Sequence, residues 1–157
     1  MNSNNHLFLS KSKYNPTDLL IPFEWLLNNQ FELLEVSLLG DAFLQNEKEE
    51  IYWLATDSGE LQKIANSKQE FYYSLEKSEQ QEEWLMISFI QELKQAKIQR
   101  AANEVYSYKV PPVLGGEYDI TNIQVTNVDV HFYLLGQIFE QIRHLPDGHS
   151  VKITIKK

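Results

Sequence analysis

The chain has no cysteine, only two methionines, and no apolar run near the ~18 residues of a membrane span. Without thiols there is no disulfide, no thiolate zinc site and no cysteine nucleophile. The opening MNSNNHLFLSKSKY lacks the long apolar core of a secretory leader, so the chain reads as cytoplasmic and soluble. Catalytic signatures are missing too. There is no GxGxxG spacing for a dinucleotide and no GxSxG elbow for a nucleophilic serine. The one glycine pair lies in VPPVLGGEYDITN (110–122), where Glu117, Tyr118 and Asp119 follow Gly115-Gly116. A phosphate loop needs Lys and Ser/Thr there, and two carboxylates repel phosphate. Pro111-Pro112 fixes φ while Gly115-Gly116 permits positive φ, so this stretch is expected to be a rigid, shaped elbow.

Positive charge is also scarce. Twenty-two acids against fourteen Lys and Arg give a net charge of −8. From Asp41 to Glu83, eleven acids face four lysines, a local net of −7. Nucleic-acid binding by counterion release needs clustered Lys and Arg, so no direct nucleic-acid partner is expected. Such a surface attracts a basic protein instead. The candidate partner-binding residues are Asp41, Glu47, Glu49, Glu50, Asp57, Glu60, Glu117 and Tyr118.

What the chain does have is a core. Its 157 residues are 43% apolar and 12% aromatic, which suits a single domain over 1–157. Pro22 opens a short helix in FEWLLNN, closed by Asn28-Asn29. FELLEVSLL (31–39), AFLQN (42–46), EIYWLAT (50–56) and ELQKIA (60–65) read as an antiparallel meander with turns at Gly40-Asp41 and Asp57-Ser58-Gly59. The capping box Ser67–Glu70 starts a helix to about Leu75. A longer helix is predicted over Gln80–Lys97, with Leu85, Phe89, Leu93 and Ala96 on one face packing against the meander. VYSYKV (105–110) reads as a strand, and IQVTNV (123–128) as a short strand or the extended entry to the next helix. Asp129–His144 reads as a helix with Leu134, Leu135, Ile138 and Ile142 on a stripe. Gly136 within that helix points to a close approach. After a turn at Leu145–Gly148, SVKITIKK is expected to close the chain as a basic edge strand. Meander, helices, strand, helix and strand make this an α+β fold: an antiparallel β-meander packed against helices.

Asp129, His131, His144, Asp147 and His149 suggest a metal set, but His131 and His144 stand about 20 Å apart on one helix. A buried or capping His131 is the simpler reading. Adjacent pairs such as Glu49-Glu50 and Glu82-Glu83 diverge in direction and make no acid/base dyad. No catalytic, cofactor or metal residues are expected. Trp25, Trp53 and Trp84 are expected in the core.

The segments VSLLGDAFLQ, IYWLATDSGELQKIANSKQEF, YSYKVPPVLGGEYDITNI and LLGQIFEQIRHLPDG together resemble the bacterial type VI secretion immunity-protein C-terminal domain family, across residues 22–150. GDAF, followed by YWL, a turn and a capped helix, is also similar to the SUKH superfamily of toxin-immunity proteins. The resemblance implies an α+β immunity-type domain, non-enzymatic, that binds and neutralises a cognate protein toxin, often a nuclease, in the cytoplasm. Read from the residues alone, a second class stays open: a small hydrolase or ligand-binding protein using the His131 region or the GGEY loop. Convergence of His131 with carboxylates in a pocket is the feature that separates the two.

Overall fold

The structure is a computed structural model and describes residues 5–156. Four strands, β1 (Phe31–Val36), β2 (Ala42–Asn46), β3 (Ile51–Ala55) and β4 (Glu60–Ala65), form an antiparallel sheet in chain order. Side chains alternate across a strand. Phe43 and Ile51 therefore face one side, while Ala42, Leu44 and Leu54 face the other. A bulge at Leu34 in β1 adds that leucine to the Phe43 side.

Both faces are covered. On the Phe43 side, α3 (Lys68–Ser74) and α4 (Ser78–Leu85) bury Phe71, Leu75, Trp84 and Leu85 against the sheet. Here Phe71 packs against the rings of Phe8, Phe43, Tyr72 and Trp84 at 5.1–6.4 Å. The other side holds the larger core, built with α1 (Pro16–Leu20), α2 (Glu24–Leu27), α5 (Ile87–Gln95) and α6 (Val128–Ile142). Two further strands, β5 (Glu104–Tyr108) and β6 (Ile123–Asn127), pair as a separate ribbon. Tyr106 N–H donates to the Leu38 carbonyl at 2.8 Å and ties that ribbon to the end of β1. The fold is α+β.

Three expectations need correction. The predicted helix over Gln80–Lys97 is two helices, because Met86 takes left-handed backbone angles (φ 48°, ψ 52°) between α4 and α5. Leu85 belongs to one face of the sheet, whereas Ile90 and Leu93 belong to the other. One straight helix cannot present a single stripe to both. Glu82 supports the break by accepting from Ser88 N–H (3.1 Å) and Ser88 Oγ–H (2.6 Å) at the start of α5. Near the N-terminus the short helix expected after Pro22 is present and ends at Asn28 in the left-handed region, but a further helix precedes it, starting at Pro16. The Asn15 side chain accepts from Thr17 and Asp18 N–H there, and a 3-10 turn over Ile21–Phe23 leads into α2.

The third correction concerns SVKITIKK, which joins no sheet through residue 156; Lys157 lies outside the described residues. Its backbone is held by side-chain amides of α6 instead. Gln141 exchanges two hydrogen bonds with Thr154 (3.0 and 2.8 Å), and Lys156 N–H donates to Gln137 Oε1 at 2.7 Å. Two glutamines four residues apart lie on the same helix face, so they stand in for a neighbouring strand.

Of the three tryptophans expected in the core, Trp84 is buried while Trp25 and Trp53 are half-buried at its margin. Several local expectations hold. Ser67 caps α3. His131 is buried, and a Cβ on Gly136 would lie 2.4 Å from the Pro22 carbonyl oxygen, so α6 does approach closely there. The elbow has a 3-10 turn at Pro112–Leu114 and Gly115 at φ 97°. Gly116 serves space rather than φ, since its Cβ would meet the Val110 carbonyl at 1.7 Å.

Candidate functional site

The turn Gly40-Asp41 between β1 and β2 lies against α6, and four chain-distant residues meet there. Gly40's carbonyl can only accept, so His131 Nε2 carries the ring proton and donates to it at 3.0 Å. Nδ1 of the neutral ring then accepts from the Ser107 hydroxyl at 3.1 Å. The Thr56 hydroxyl sits 3.1 Å from Nε2, 3.0 Å from the Gly40 carbonyl and 2.9 Å from Asp41 Oδ1. Thr56 N–H donates to Asp41 Oδ1 (2.8 Å) and Trp53 Nε1–H to Asp41 Oδ2 (3.0 Å). Burial drives His131 down to about 4, which leaves it neutral near pH 7. Burial first, and then the charge of Asp57, push Asp41 up to about 7 despite those hydrogen bonds.

His131 therefore does converge with carboxylates on a cavity, which Asp41, Asp57, Ser107 and Tyr108 also line. The cavity holds about 30 Å³, room for a water or two at roughly 10–15 Å³ each. Both imidazole nitrogens face protein groups. Ser107 and His131 stand in nucleophile–base contact without space for a substrate, and the geometry is that of a latch between the β1–β2 turn and α6. No cluster of three or more His, Asp or Glu side chains suited to a metal occurs among the described residues.

The eight expected contact residues do not form one surface. Glu47 and Glu49 are exposed at the β2–β3 hairpin, and Glu50 beside them is paired with Lys63 and Asn46. Asp57, Glu60 and Tyr118 lie at the opposite end of the strands, about 15 Å away for five extended residues. Tyr118 Oη–H donates to Asp57 Oδ2 at 2.8 Å and so carries the elbow to this end. Glu117, next in the elbow, is exposed. Asp41 departs from the expectation of an exposed acid: its carboxylate is enclosed by Thr56 and Trp53. The Asp57 end also gathers residues the sequence did not single out together: Trp53, Glu83, Trp84 and Met86 line an outer cleft of about 190 Å³ with Asp41, Asp57 and Glu60. Met86 and the two aspartates border both spaces.

Residues 65–139 match the family model of the T6SS immunity protein Tdi1, C-terminal. The Tdi1-like segment runs from the end of β4 to the last turn of α6. It takes in α3 to α5, the β5–β6 ribbon and the elbow. It contains Glu83, Trp84, Ser107, Tyr108, Glu117, Tyr118 and His131. Asp41, Glu47, Glu49, Glu50, Asp57 and Glu60 precede it. The site at the Asp57 end is thus assembled from the Tdi1-like segment on one side and the meander on the other. No curated protein matches the chain. Among solved structures, the crystal structure of Atu4351 from Agrobacterium tumefaciens is similar, with a TM-score of 0.56 at 15% identity over 79% of this chain. This chain spans 65% of the length of that one, and the likeness is one of fold.

Gly40, Thr56, Ser107 and Tyr108 escaped the sequence reading. Nothing in their spacing links positions 40, 56, 107 and 131. The one local signal was a Gly-Asp turn straight after a strand.

Proposed function

We propose that this protein is a non-enzymatic immunity protein that binds and neutralises a cognate toxin in the cytoplasm, the toxin being a nuclease and the contact an acidic surface. The observation that carries the reading is the match of residues 65–139 to a type VI secretion immunity family. Charge supports the finer part. Glu76, Glu79, Glu82 and Glu83 on and before α4 are exposed, as are Glu47, Glu49 and Glu60 on the meander. A nuclease cleft is basic because it must hold phosphates, so an acidic inhibitor complements it and speeds encounter. That steering weakens as salt shortens the Debye length to about 8 Å at physiological ionic strength. Among the described residues, no helix is long and apolar enough to cross a membrane.

The test is co-expression with the product of the adjacent gene. Growth restored by this protein, co-purification of the pair, and loss of DNA cleavage by the purified toxin on its addition are expected. A toxin that kills equally with and without this protein, and forms no complex with it, overturns the reading.

A further inference from the structure

Residues 151–156 form an extended segment with one edge occupied and the other free. Successive peptide groups of an extended chain point to opposite edges. Those of Thr154 and Lys156 point to α6, where Gln141 and Gln137 engage them. Those of Ile153 and Ile155 point the other way and make no hydrogen bond among the described residues. The Ile153 and Ile155 side chains pack on the larger core, so the segment is held in place while that edge stays open. The open edge borders a groove. Gln137 and Gln141 stand on one flank of α6, whereas Phe139, Ile142 and Arg143 stand on the other and line the groove with Val151 and Ile153. Trp25 of α2 and Val113 and Leu114 of the elbow line it as well. Val113, Leu114, Leu145 and Val151 are all exposed, so apolar side chains from separate stretches face one space. It holds about 1080 Å³, at the top of the roughly 300–1,000 Å³ usual for small-molecule pockets, and suits a length of chain better than a compact ligand.

We propose that this groove docks an extended, acidic segment of another protein, which adds as a strand to the free edge of residues 151–155. Main-chain bonds to Ile153 and Ile155 supply the ladder, and alternate apolar side chains enter the groove. The intervening side chains of the added strand lie beside Lys152, Thr154 and Lys156, which are exposed. Charge decides the occupant. Residues 143–156 hold Arg143, Lys152 and Lys156 against Asp147 alone, a local net of +2 in a chain of net −8. Neither lysine forms an ion pair among the described residues. Carboxylates on the added strand therefore meet unpaired cations. A second copy of this segment is disfavoured: paired antiparallel about Thr154, it sets Lys152 opposite Lys156 twice, and like charges directly opposite destabilise a ladder. The surface is separate from the acidic one of the immunity reading, and the proposal does not rest on that reading.

The test uses the full chain and the peptide acetyl-Val-Glu-Val-Glu-Val-Glu-Val-amide, with the same peptide carrying lysine in place of glutamate as control. Amide hydrogen exchange is followed by NMR. In the free protein the Thr154 and Lys156 amides should exchange more slowly than those of Ile153 and Ile155. Saturating acidic peptide should slow Ile153 and Ile155 by about tenfold or more and shift the Trp25 indole resonance. Ile155→Pro removes one donor from the open edge and leaves both glutamine contacts, so it should weaken peptide binding about fivefold. Lys152→Glu combined with Lys156→Glu should weaken it by a similar factor, and the lysine peptide should leave the parent unchanged. A Trp25 shift without protection of Ile153 and Ile155, equal binding of the lysine peptide, or no response overturns the proposal. Protection that appears without peptide as protein concentration rises assigns the edge to a second copy and overturns it too. None of these outcomes bears on toxin neutralisation, which the growth assay reads separately.

Discussion

Replacing Asp41 with asparagine should change how stability depends on pH, and the structure sets both sign and size. Asp41 has an ordinary pKa of 3.8 and is pushed up to about 7 in the folded protein. An acid raised in this way contributes stability that is fully present below about pH 4 and is lost as pH rises through 7. At 1.36 kcal/mol per pH unit, the gap corresponds to about 4 kcal/mol. His131 acts in the opposite sense. Its value falls from 6.5 to about 4, so its contribution is present above pH 6.5 and lost as pH falls toward 4. Between about pH 4 and 6.5 the two slopes oppose, and the parent alone shows a flattened profile. The difference between variant and parent cancels His131 and the raised Glu35, leaving Asp41. The amide introduced by Asp41→Asn still accepts from Thr56 but turns an N–H toward Trp53 Nε1–H, a loss of about 1 kcal/mol at every pH. Asp41→Asn should therefore be about 1 kcal/mol less stable than the parent at pH 4 and about 3 kcal/mol more stable at pH 8. Urea unfolding followed by far-ultraviolet circular dichroism across that range measures it. A difference that stays flat, or falls with pH, refutes the enclosed carboxylate.

Two glycines with positive φ should respond differently to alanine. At Gly40 (φ 81°) a Cβ lies 2.2 Å from His131 Nε2, whereas at Gly115 (φ 97°) it meets nothing within 4 Å. Thermal unfolding should show a loss of about 3 kcal/mol for Gly40→Ala and about 1 kcal/mol for Gly115→Ala; equal losses would sink the latch at His131. Lys97 closes α5 in the left-handed region (φ 61°), with Lys97 N–H bonded to Lys94 O at 3.0 Å and Ile98 N–H to Leu93 O at 3.1 Å. Lys97→Gly should raise stability by about 0.5–1 kcal/mol in urea, and a destabilised variant would contradict that helix end.

Local pattern was enough for much of this protein. Alternation in AFLQN and IYWLA, the turns at Gly40-Asp41 and Asp57–Gly59, the Ser67 cap and the Pro-Pro/Gly-Gly elbow each depend on residues a few positions apart. Their φ preferences and side-chain periods act within one element. The residues of the resemblance likewise lie within continuous stretches. Tertiary structure alone decided the rest. Leu85 and Leu93 look like one stripe until the sheet offers two faces, and then the helix must break at Met86. SVKITIKK alternates like a strand, yet it lies against glutamines of α6 and not against a strand edge. Asp41 reads as one acid in a run of acids. Its environment comes from Trp53, Thr56 and Asp57, which the sheet brings beside it. Desolvation and charge repulsion depend on what surrounds a group in space, and spacing along the chain carries no record of that.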